Sequence, residues 1–198
     1  IDYTYTGMAE NEYGWWYFNN GNLDVTYTGM AHNESGWYYF VNGRLDTSYT
    51  GIASDGSNSW YYVNGTIATG YTGMLLDKTT WLYVNEGCID YNYTGMAFNE
   101  YGWWYFSNGE LNTSYTGMAE NEYGWWYYTN GRLDTSYTGE ATNEYGSWYY
   151  INGRIAQDYI GMLLDKDQWK YVSNGFIDYN YTGMALNEYG WWYVTNGM

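Results

Sequence analysis

Hydrophobic and polar positions follow the same order every 22 residues, and nine such repeats account for all 198 residues. We number positions 1 to 22 within each repeat, beginning at residue 1. In the first repeat, the aromatic run from Trp15 to Phe18 precedes Asn20-Gly21, and an apolar residue then leads to the next Tyr-Thr-Gly. Asn-Gly between two apolar runs is a strong signal for a tight β-turn. The pattern therefore predicts one β-hairpin per repeat.

The other turn-forming residues of the repeat also indicate strands joined by turns. Asn or Asp at position 11, often followed three residues later by glycine, predicts a second turn. Position 7 is glycine in all nine repeats, which suggests a positive φ or a close backbone approach. Proline and helical periodicity are both absent. We predict an all-β chain, a β-solenoid of nine stacked 22-residue hairpin repeats, because repeats of this length bury a core only by stacking on their neighbours.

A longer period lies over the first, because repeat 1 returns almost verbatim at residues 89 and 177. Two repeats, the fourth and the eighth, differ from the others. They read Leu-Leu-Asp-Lys at Leu75 to Lys78 and at Leu163 to Lys166, where most repeats read Ala-x-Asn-Glu. This four-repeat, 88-residue super-period indicates a recurring bend or a recurring site. Since no linker interrupts the pattern, we expect residues 1–198 to be one continuous array, a segment of a longer protein.

Strand alternation divides the aromatic run into two faces. Position 17 is tyrosine in every repeat and shares its face with position 15, as expected of a packed ladder. Position 16 points the opposite way and accepts Lys170, so we expect an exposed row rather than a sealed core. Two interpretations stay open: the rings pack against the next hairpin, or they form stacking platforms for sugars and quaternary ammonium groups. The candidate ligand-binding residues are Trp16, Tyr38, Trp60, Trp104, Trp126, Trp148 and Trp192.

Composition narrows the classes of partner. The formal charge is −16, so nucleic acid is not expected as a partner, because phosphate binding needs clustered Lys and Arg. The acidic residues recur at positions 2 and 12, which fits either a solvated carboxylate row or a cation-binding row. No stretch approaches the apolar length of a membrane span. The aromatic share of 24%, mostly Tyr and Trp, favours half-buried rings that have one end available to partners.

Catalytic chemistry is missing from the sequence. His32 is the only histidine, so neither a histidine-based triad nor a zinc site can be built. Carboxylates repeated every 22 residues are not a unique catalytic pair. We therefore expect no enzyme, no metal site and no cofactor. Calcium stays an alternative, because Asn11, Glu12 and Asp24 could supply hard oxygen ligands together with turn carbonyls.

The segment from Gly14 to Met30, which reads GWWYFNNGNLDVTYTGM, resembles the cell-wall-binding repeats of Gram-positive surface proteins. These include choline-binding and glucan-binding modules and the repetitive carboxy-terminal domains of clostridial toxins. The resemblance covers all nine repeats. It implies a non-catalytic β-solenoid that attaches a secreted protein to wall polymers or host glycans.

The choline cage of that family draws aromatic rings from two places that fall on positions 16 and 8 of this chain. Position 8 is never aromatic here, as Met8, Ile52 and Glu140 illustrate. Carbohydrate or another wall polymer therefore stays open beside choline.

Two functions follow from these patterns. The first is a secreted or cell-surface binding module whose aromatic row holds a cell-wall polymer or glycan through many weak contacts. The alternative is a structural stalk or a self-assembling extracellular fibre, in which uncapped ends of the array join into filaments.

Overall fold

The computed structural model describes residues 2–198, which form an all-β structure of antiparallel strands. The chain divides into two compact units, Ile1–Tyr93 with Asn108–Glu110, and Thr94–Ser107 with Leu111–Met198. The all-β class and the repeated hairpins are confirmed within each unit. The stacking of all nine repeats into one solenoid stays a prediction.

Each repeat contributes up to three strands. The first kind, the leading strand, spans Gly7–Asn11, Gly29–Asn33, Gly51–Ser54, Gly73–Asp77, Gly95–Asn99, Gly117–Asn121, Gly139–Asn143, Ile160–Asp165 and Gly183–Asn187. The second, the aromatic strand, spans Gly14–Asn19, Gly36–Val41, Ser59–Val63, Thr80–Asn85, Gly102–Ser107, Gly124–Thr129, Gly146–Ile151, Gln168–Ser173 and Gly190–Val194. The third, the short strand, spans Asn22–Leu23, Arg44–Leu45, Thr66–Ile67, Cys88–Ile89, Glu110–Leu111, Arg132–Leu133, Arg154–Ile155 and Phe176–Ile177.

The leading and aromatic strands form the longer hairpin of each repeat. In repeat 1 they pair from Gly7 opposite Phe18 to Asn11 opposite Gly14, which leaves two residues at the tip. The Asn11 side-chain oxygen accepts a hydrogen bond of 2.9 Å from the backbone amide of Tyr13 and so closes the tip. The turn predicted at position 11 is confirmed, and it closes the main hairpin.

The Asn-Gly turn is also confirmed, and it joins the two segments that the sequence pattern predicted. Asn20 and Gly21 have φ values of 50° and 73°, the positive pair that a type I′ turn requires. This turn joins the aromatic strand to a short strand of only two residues. The short strand ends because the Asp24 carboxylate accepts hydrogen bonds from the amide and hydroxyl of Thr26, at 3.0 and 2.7 Å. The backbone therefore turns before the next Tyr-Thr-Gly.

The glycine of each Asn-Gly turn connects neighbouring repeats. The Gly43 carbonyl accepts a hydrogen bond of 2.8 Å from the amide of Tyr17 in the preceding repeat, and the Gly43 amide donates at 2.7 Å to Tyr27 in its own. A Cβ at Gly43 would lie 2.2 Å from the carbonyl oxygen of Asp24. Only glycine fits this close approach.

Tyrosine rings reinforce the same connection. The Tyr17 ring stacks on the Tyr27 ring of the next repeat, with centroids 3.6 Å apart. Five further pairs of position 17 and the next position 5 stack in the same way, namely Tyr39–Tyr49, Tyr83–Tyr93, Tyr105–Tyr115, Tyr127–Tyr137 and Tyr171–Tyr181. The packed ladder predicted at position 17 is confirmed.

The two Leu-Leu-Asp-Lys repeats interrupt this ladder. Tyr61 and Tyr71 meet edge to face at 5.3 Å, and the Tyr149 hydroxyl donates to the carbonyl of Leu164 at 2.5 Å. Leu75 and Leu163 stand at position 9, where the other repeats have alanine. Both leucines pack in the clusters that contain these tyrosines. Added aliphatic volume therefore takes the place of ring stacking at these two joints.

Position 18 supplies the most deeply buried side chains of the core. Its members from the second repeat onward are Phe40, Tyr62, Val84, Phe106, Tyr128, Tyr150, Val172 and Val194, each buried almost completely. In repeat 2, Phe40 packs with Met8 and Ala31.

Truncating a position-18 ring should therefore be costly. We predict that Phe40→Ala lowers the free energy of unfolding by about 3 to 5 kcal/mol, because it leaves a cavity in a closed cluster. Phe98→Ala, at a ring 60% exposed, is the matched control and should change it by about 0.5 kcal/mol or less. Urea unfolding followed by tryptophan fluorescence measures both, and equal losses would contradict the assigned core.

Candidate functional site

The predicted aromatic row at position 16 lies half-buried between consecutive repeats. Trp16, Tyr38, Trp60, Trp104, Trp126 and Trp148 are all partly covered, and only Trp192 is exposed, at 55%. The row is thus neither fully exposed nor a sealed core, and the interpretation in which the rings pack against the next hairpin fits the six covered members. Position 16 lies on the same face of the strand as the buried position 18. The short strand of the next repeat also pairs beside position 16, with Arg44 opposite Trp16, and so covers part of the ring.

A side-chain hydrogen bond fixes each indole of this row. Trp104 Nε1 donates to the Asn99 side-chain oxygen at 3.1 Å, from position 16 to position 11 of the same repeat. The same bond holds the indoles of Trp16, Trp60, Trp126, Trp148 and Trp192, at 2.9 to 3.3 Å. The ring orientation is thus set by the residue that also closes the hairpin tip.

All three arginines of the chain lie over rings of this row. The guanidinium carbons of Arg44 and Arg132 are each 5.5 Å from the ring centroids of Trp16 and Trp104. Arg154 lies 5.7 Å from the ring of Trp126. These distances are typical of cation–π contacts. Three of the seven predicted platforms therefore already hold a cation from the chain itself.

Trp148 lines a small apolar pocket at the row. The pocket has a volume of about 180 Å³ and combines side chains of three consecutive repeats. Its aromatic and apolar wall is formed by Met118, Trp125, Tyr145, Trp148 and Ile155. Asn143, which holds the Trp148 indole, lines the same pocket. The structure thus brings one predicted ligand residue together with two rings that sequence reasoning did not select.

A second aromatic row was missed by sequence reasoning. Position 13, at the hairpin tip, carries the strongly exposed rings of Tyr13, Tyr101, Tyr123, Tyr145 and Tyr189, which are 60 to 74% exposed. The Trp103 and Tyr123 rings contact each other with centroids 6.1 Å apart, as do Trp169 and Tyr189 at 6.0 Å. Each of these tip tyrosines thus contacts the position-15 tryptophan of the preceding repeat. The signal was available, because a residue inside a two-residue tip turn must project into solvent.

Position 16 was expected to be exposed to solvent because it accepts Lys170, but Lys170 itself is buried. Its side chain is buried, with 7% exposure for the residue. Lys170 Nζ donates to a Glu140 oxygen and, at 2.6 Å, to Asp165 Oδ2. The Tyr179 hydroxyl donates to the other Glu140 oxygen at 2.7 Å. A charged side chain is accepted here because two carboxylates pair with it.

These contacts also shift the ionisation of both partners. Burial alone would raise the pKa of Glu140, but hydrogen bonds from Lys170, Ser147 and Tyr179 outweigh it, and the pKa lies below the ordinary 4.5. Burial alone would lower the pKa of Lys170, but its hydrogen bonds to Asp165 and Glu140 raise it instead. Both groups therefore remain charged at neutral pH.

The carboxylates at position 2 cap turns. Asp46 Oδ1 accepts the Ser48 amide at 2.9 Å and its hydroxyl at 2.6 Å. These bonds lower the pKa of Asp46, and equivalent bonds lower the pKa of Asp2, Asp24 and Asp134. Within residues 2–198, no three His, Cys, Asp or Glu side chains gather as a metal site would require. The same part of the chain includes no helix with the length and apolarity of a membrane span.

The family model for choline-binding repeats matches seven segments of the chain. They are residues 4–24, 26–46, 48–67, 92–111, 114–134, 136–153 and 180–198, more than half of the chain. The two long gaps between them contain the two Leu-Leu-Asp-Lys repeats. A search of curated proteins gives no match.

Several solved structures are distantly similar. CbpJ from Streptococcus pneumoniae TIGR4 is 23% identical with a TM-score of 0.36, over 90% of this chain and 61% of that one. Choline binding protein F from Streptococcus pneumoniae is 20% identical with a TM-score of 0.35, over 91% of this chain and 61% of that one. An alternansucrase in complex with isomaltononaose is 14% identical with a TM-score of 0.31, over 96% of this chain and 17% of that one. This chain thus spans about 61% of the length of the two pneumococcal structures, and at these TM-scores the likenesses are too distant to bear on the site.

The Glu140–Lys170 pair predicts a specific dependence on pH. Because the folded-state pKa of Glu140 is lowered, the stability that it contributes is complete above its ordinary pKa of 4.5 and is lost as the pH falls below that value. Glu140→Gln should therefore lower the free energy of unfolding by about 2 kcal/mol at pH 7 and by much less near pH ~3. Glu120→Gln, at an exposed position, is the control and should have little effect at either pH. Urea unfolding at the two pH values measures this, and a pH-independent loss would contradict the ion pair.

Proposed function

The chain belongs to the choline-binding repeat family, and we propose that it is a non-catalytic module that attaches its protein to a cell-wall polymer or glycan at the bacterial surface. The observation that supports this most directly is the pocket that Met118, Trp125, Tyr145, Trp148 and Ile155 form across three repeats. It is a small aromatic recess of fixed shape, and binding sites of this kind recognise ligand groups without any chemical reaction.

The pocket suits a quaternary ammonium group such as the one in choline. Aromatic faces attract such cations by about 0.5 to 2 kcal/mol per contact, more as the contact is desolvated. Trp148 is fixed by its bond to Asn143 before any ligand arrives, so little conformational entropy is lost on binding. The net charge of −16 adds a long-range attraction for cations.

The arginines divide the predicted row into two groups. Trp16, Trp104 and Trp126 each have a guanidinium over the ring, so a ligand cation would have to displace it. Tyr38, Trp60, Trp148 and Trp192 lie outside these three arginine contacts. We therefore propose that the second group, and Trp148 above all, binds the ligand.

The exposed tip tyrosines would extend the contact along the polymer. A single exposed ring contributes little, about 0.5 to 1 kcal/mol. Several rings engaged by one repetitive ligand act together through their effective concentration. The proposed module therefore relies on many weak contacts, with the tip row taking the place that was expected for position 16.

Paired substitutions test this function. Trp148→Ala should weaken the binding of free choline about 2- to 30-fold, the loss of one cation–π contact. Trp126→Ala is the matched control from the same repeat position, and it should leave choline affinity unchanged because Arg154 already covers that ring. Isothermal titration measures both variants, and circular dichroism checks that each is folded.

A second measurement separates wall binding from a structural role. The natural chain should be retained on teichoic-acid-bearing cell walls that carry choline and should elute with free choline. Equal choline affinity for Trp148→Ala and the natural chain would contradict the proposed pocket. Filaments in electron micrographs without retention on walls would favour the stalk or fibre instead.

A further inference from the structure

Two open clefts of equivalent composition lie apart from the Trp148 pocket. The first has a volume of about 600 Å³ and is lined by Trp15, Arg44, Leu45, Asp46, Thr47 and Ser48. The second has a volume of about 470 Å³ and is lined by Trp103, Arg132, Leu133, Asp134, Thr135 and Ser136. Each residue of the second set stands 88 residues after its counterpart in the first. We propose that each cleft binds a neutral saccharide, a second kind of site that does not depend on the choline pocket.

The cleft combines the two kinds of group that recognise a sugar ring. A half-buried tryptophan, Trp15 or Trp103, offers an apolar surface to the C–H face of a pyranose. The guanidinium and carboxylate beside it can donate to and accept from vicinal hydroxyl groups. Volumes of 470 and 600 Å³ fall within the range of about 300–1,000 Å³ usual for small-molecule sites.

The arginine of each cleft is held in place before any ligand binds. Arg44 Nη2 donates to the Tyr13 carbonyl at 3.3 Å, and Arg132 Nη2 donates to the Tyr101 carbonyl at 3.1 Å. The ring of Trp16 or Trp104 lies beneath each guanidinium. Since a guanidinium has five N–H donors, these contacts leave several for a ligand.

The aspartate is equally fixed and remains ionised. Asp46 Oδ1 accepts two hydrogen bonds from Ser48, and Asp134 Oδ1 accepts two from Ser136. Within residues 2–198 neither Arg44 nor Arg132 forms an ion pair, so the guanidinium and the carboxylate of each cleft do not bind each other.

The charges also select against acidic ligands. One guanidinium and one carboxylate leave each cleft neutral, while the chain as a whole carries −16. A phosphate or carboxylate group placed in a cleft would therefore meet one attractive and one repulsive charge. A neutral pyranose oligosaccharide is the ligand class that fits.

The two clefts differ in one respect that predicts their order of affinity. Asp134 Oδ2 accepts a hydrogen bond of 2.8 Å from the Thr129 hydroxyl. Val41 stands at the equivalent position of the first cleft and has no hydroxyl to donate. The second oxygen of Asp46 is therefore more available, and the first cleft should bind the sugar more tightly.

A third cleft around Arg154 serves as an internal control. It is smaller, about 350 Å³, and its lining has Ala156 where the other two have aspartate. No tryptophan lines it. The Arg154 cleft therefore lacks the position-2 aspartate and the tryptophan of the other two clefts, and its own carboxylate and ring come from Asp158 and Tyr159 instead.

Titration of the whole chain with maltotriose and with tri-N-acetylchitotriose tests the proposal. We expect two sites per chain for at least one of the two sugars. The double variant Asp46→Asn/Asp134→Asn should bind at least tenfold more weakly, and it should fold, because Asn112 occupies the same repeat position and accepts the same turn hydrogen bonds. Trp15→Ala should remove one site and leave one. Arg154→Ala should bind like the natural chain.

Choline binding by the same variants separates this proposal from the wall-binding function. The double Asp→Asn variant should keep its choline affinity, because the Trp148 pocket contains none of these residues. Absence of binding by both trisaccharides, or undiminished binding by the double variant, would overturn the saccharide site. Absence of choline binding by the natural chain would instead overturn the proposed choline pocket, and it would not affect the proposal that the clefts bind a saccharide.

Discussion

The joints between consecutive repeats depend on one glycine, the second residue of the Asn-Gly turn or, at Gly87, of the Glu86-Gly87 turn. In repeat 6, the Gly131 carbonyl accepts the amide of Tyr105 from the preceding repeat, and its own amide donates to Tyr115. The rings of these two tyrosines then stack at 3.6 Å. Because an added Cβ would meet the Asn112 carbonyl oxygen at 2.3 Å, the joint excludes any side chain. Backbone pairing, ring stacking and the position of the short strand all follow from this approach.

The same geometry explains how different residues share one repeat position. Trp104 at position 16 is held by Asn99 at position 11. In repeat 8 the two positions carry Lys170 and Asp165, which form an ion pair in the same place. The arginines at position 22 reach back over the previous tryptophan because the short strand pairs there. Variation between repeats therefore changes the chemistry of each joint while the backbone scheme is kept.

The sequence predicted the elements of this fold better than the exposure of their faces. The positive φ of Asn20-Gly21 and the ladder of Tyr17 follow from local turn chemistry and a constant residue type. The burial of position 16 does not, since alternation cannot tell which face the neighbouring repeat covers. Lys170 is buried because of Glu140, 30 residues earlier, and no local pattern shows such a partner. The exposure of the tip tyrosines was predictable from turn length. The Asp46 cleft was not predictable from the sequence, because only the folded chain brings Trp15 next to Arg44 and Asp46.

The joint is tested most directly by comparing two glycines of one repeat. Gly131 and Gly124 both have positive φ, 75° and 112°, but a Cβ at Gly124 would meet nothing within 4 Å. Urea unfolding of Gly131→Ala and Gly124→Ala measures the difference. Our account predicts a loss several kcal/mol larger for Gly131→Ala, since strain of about 1 to 3 kcal/mol is common to both and only Gly131 adds the backbone clash. Equal losses for the two variants would contradict the claim that this glycine holds the repeats together.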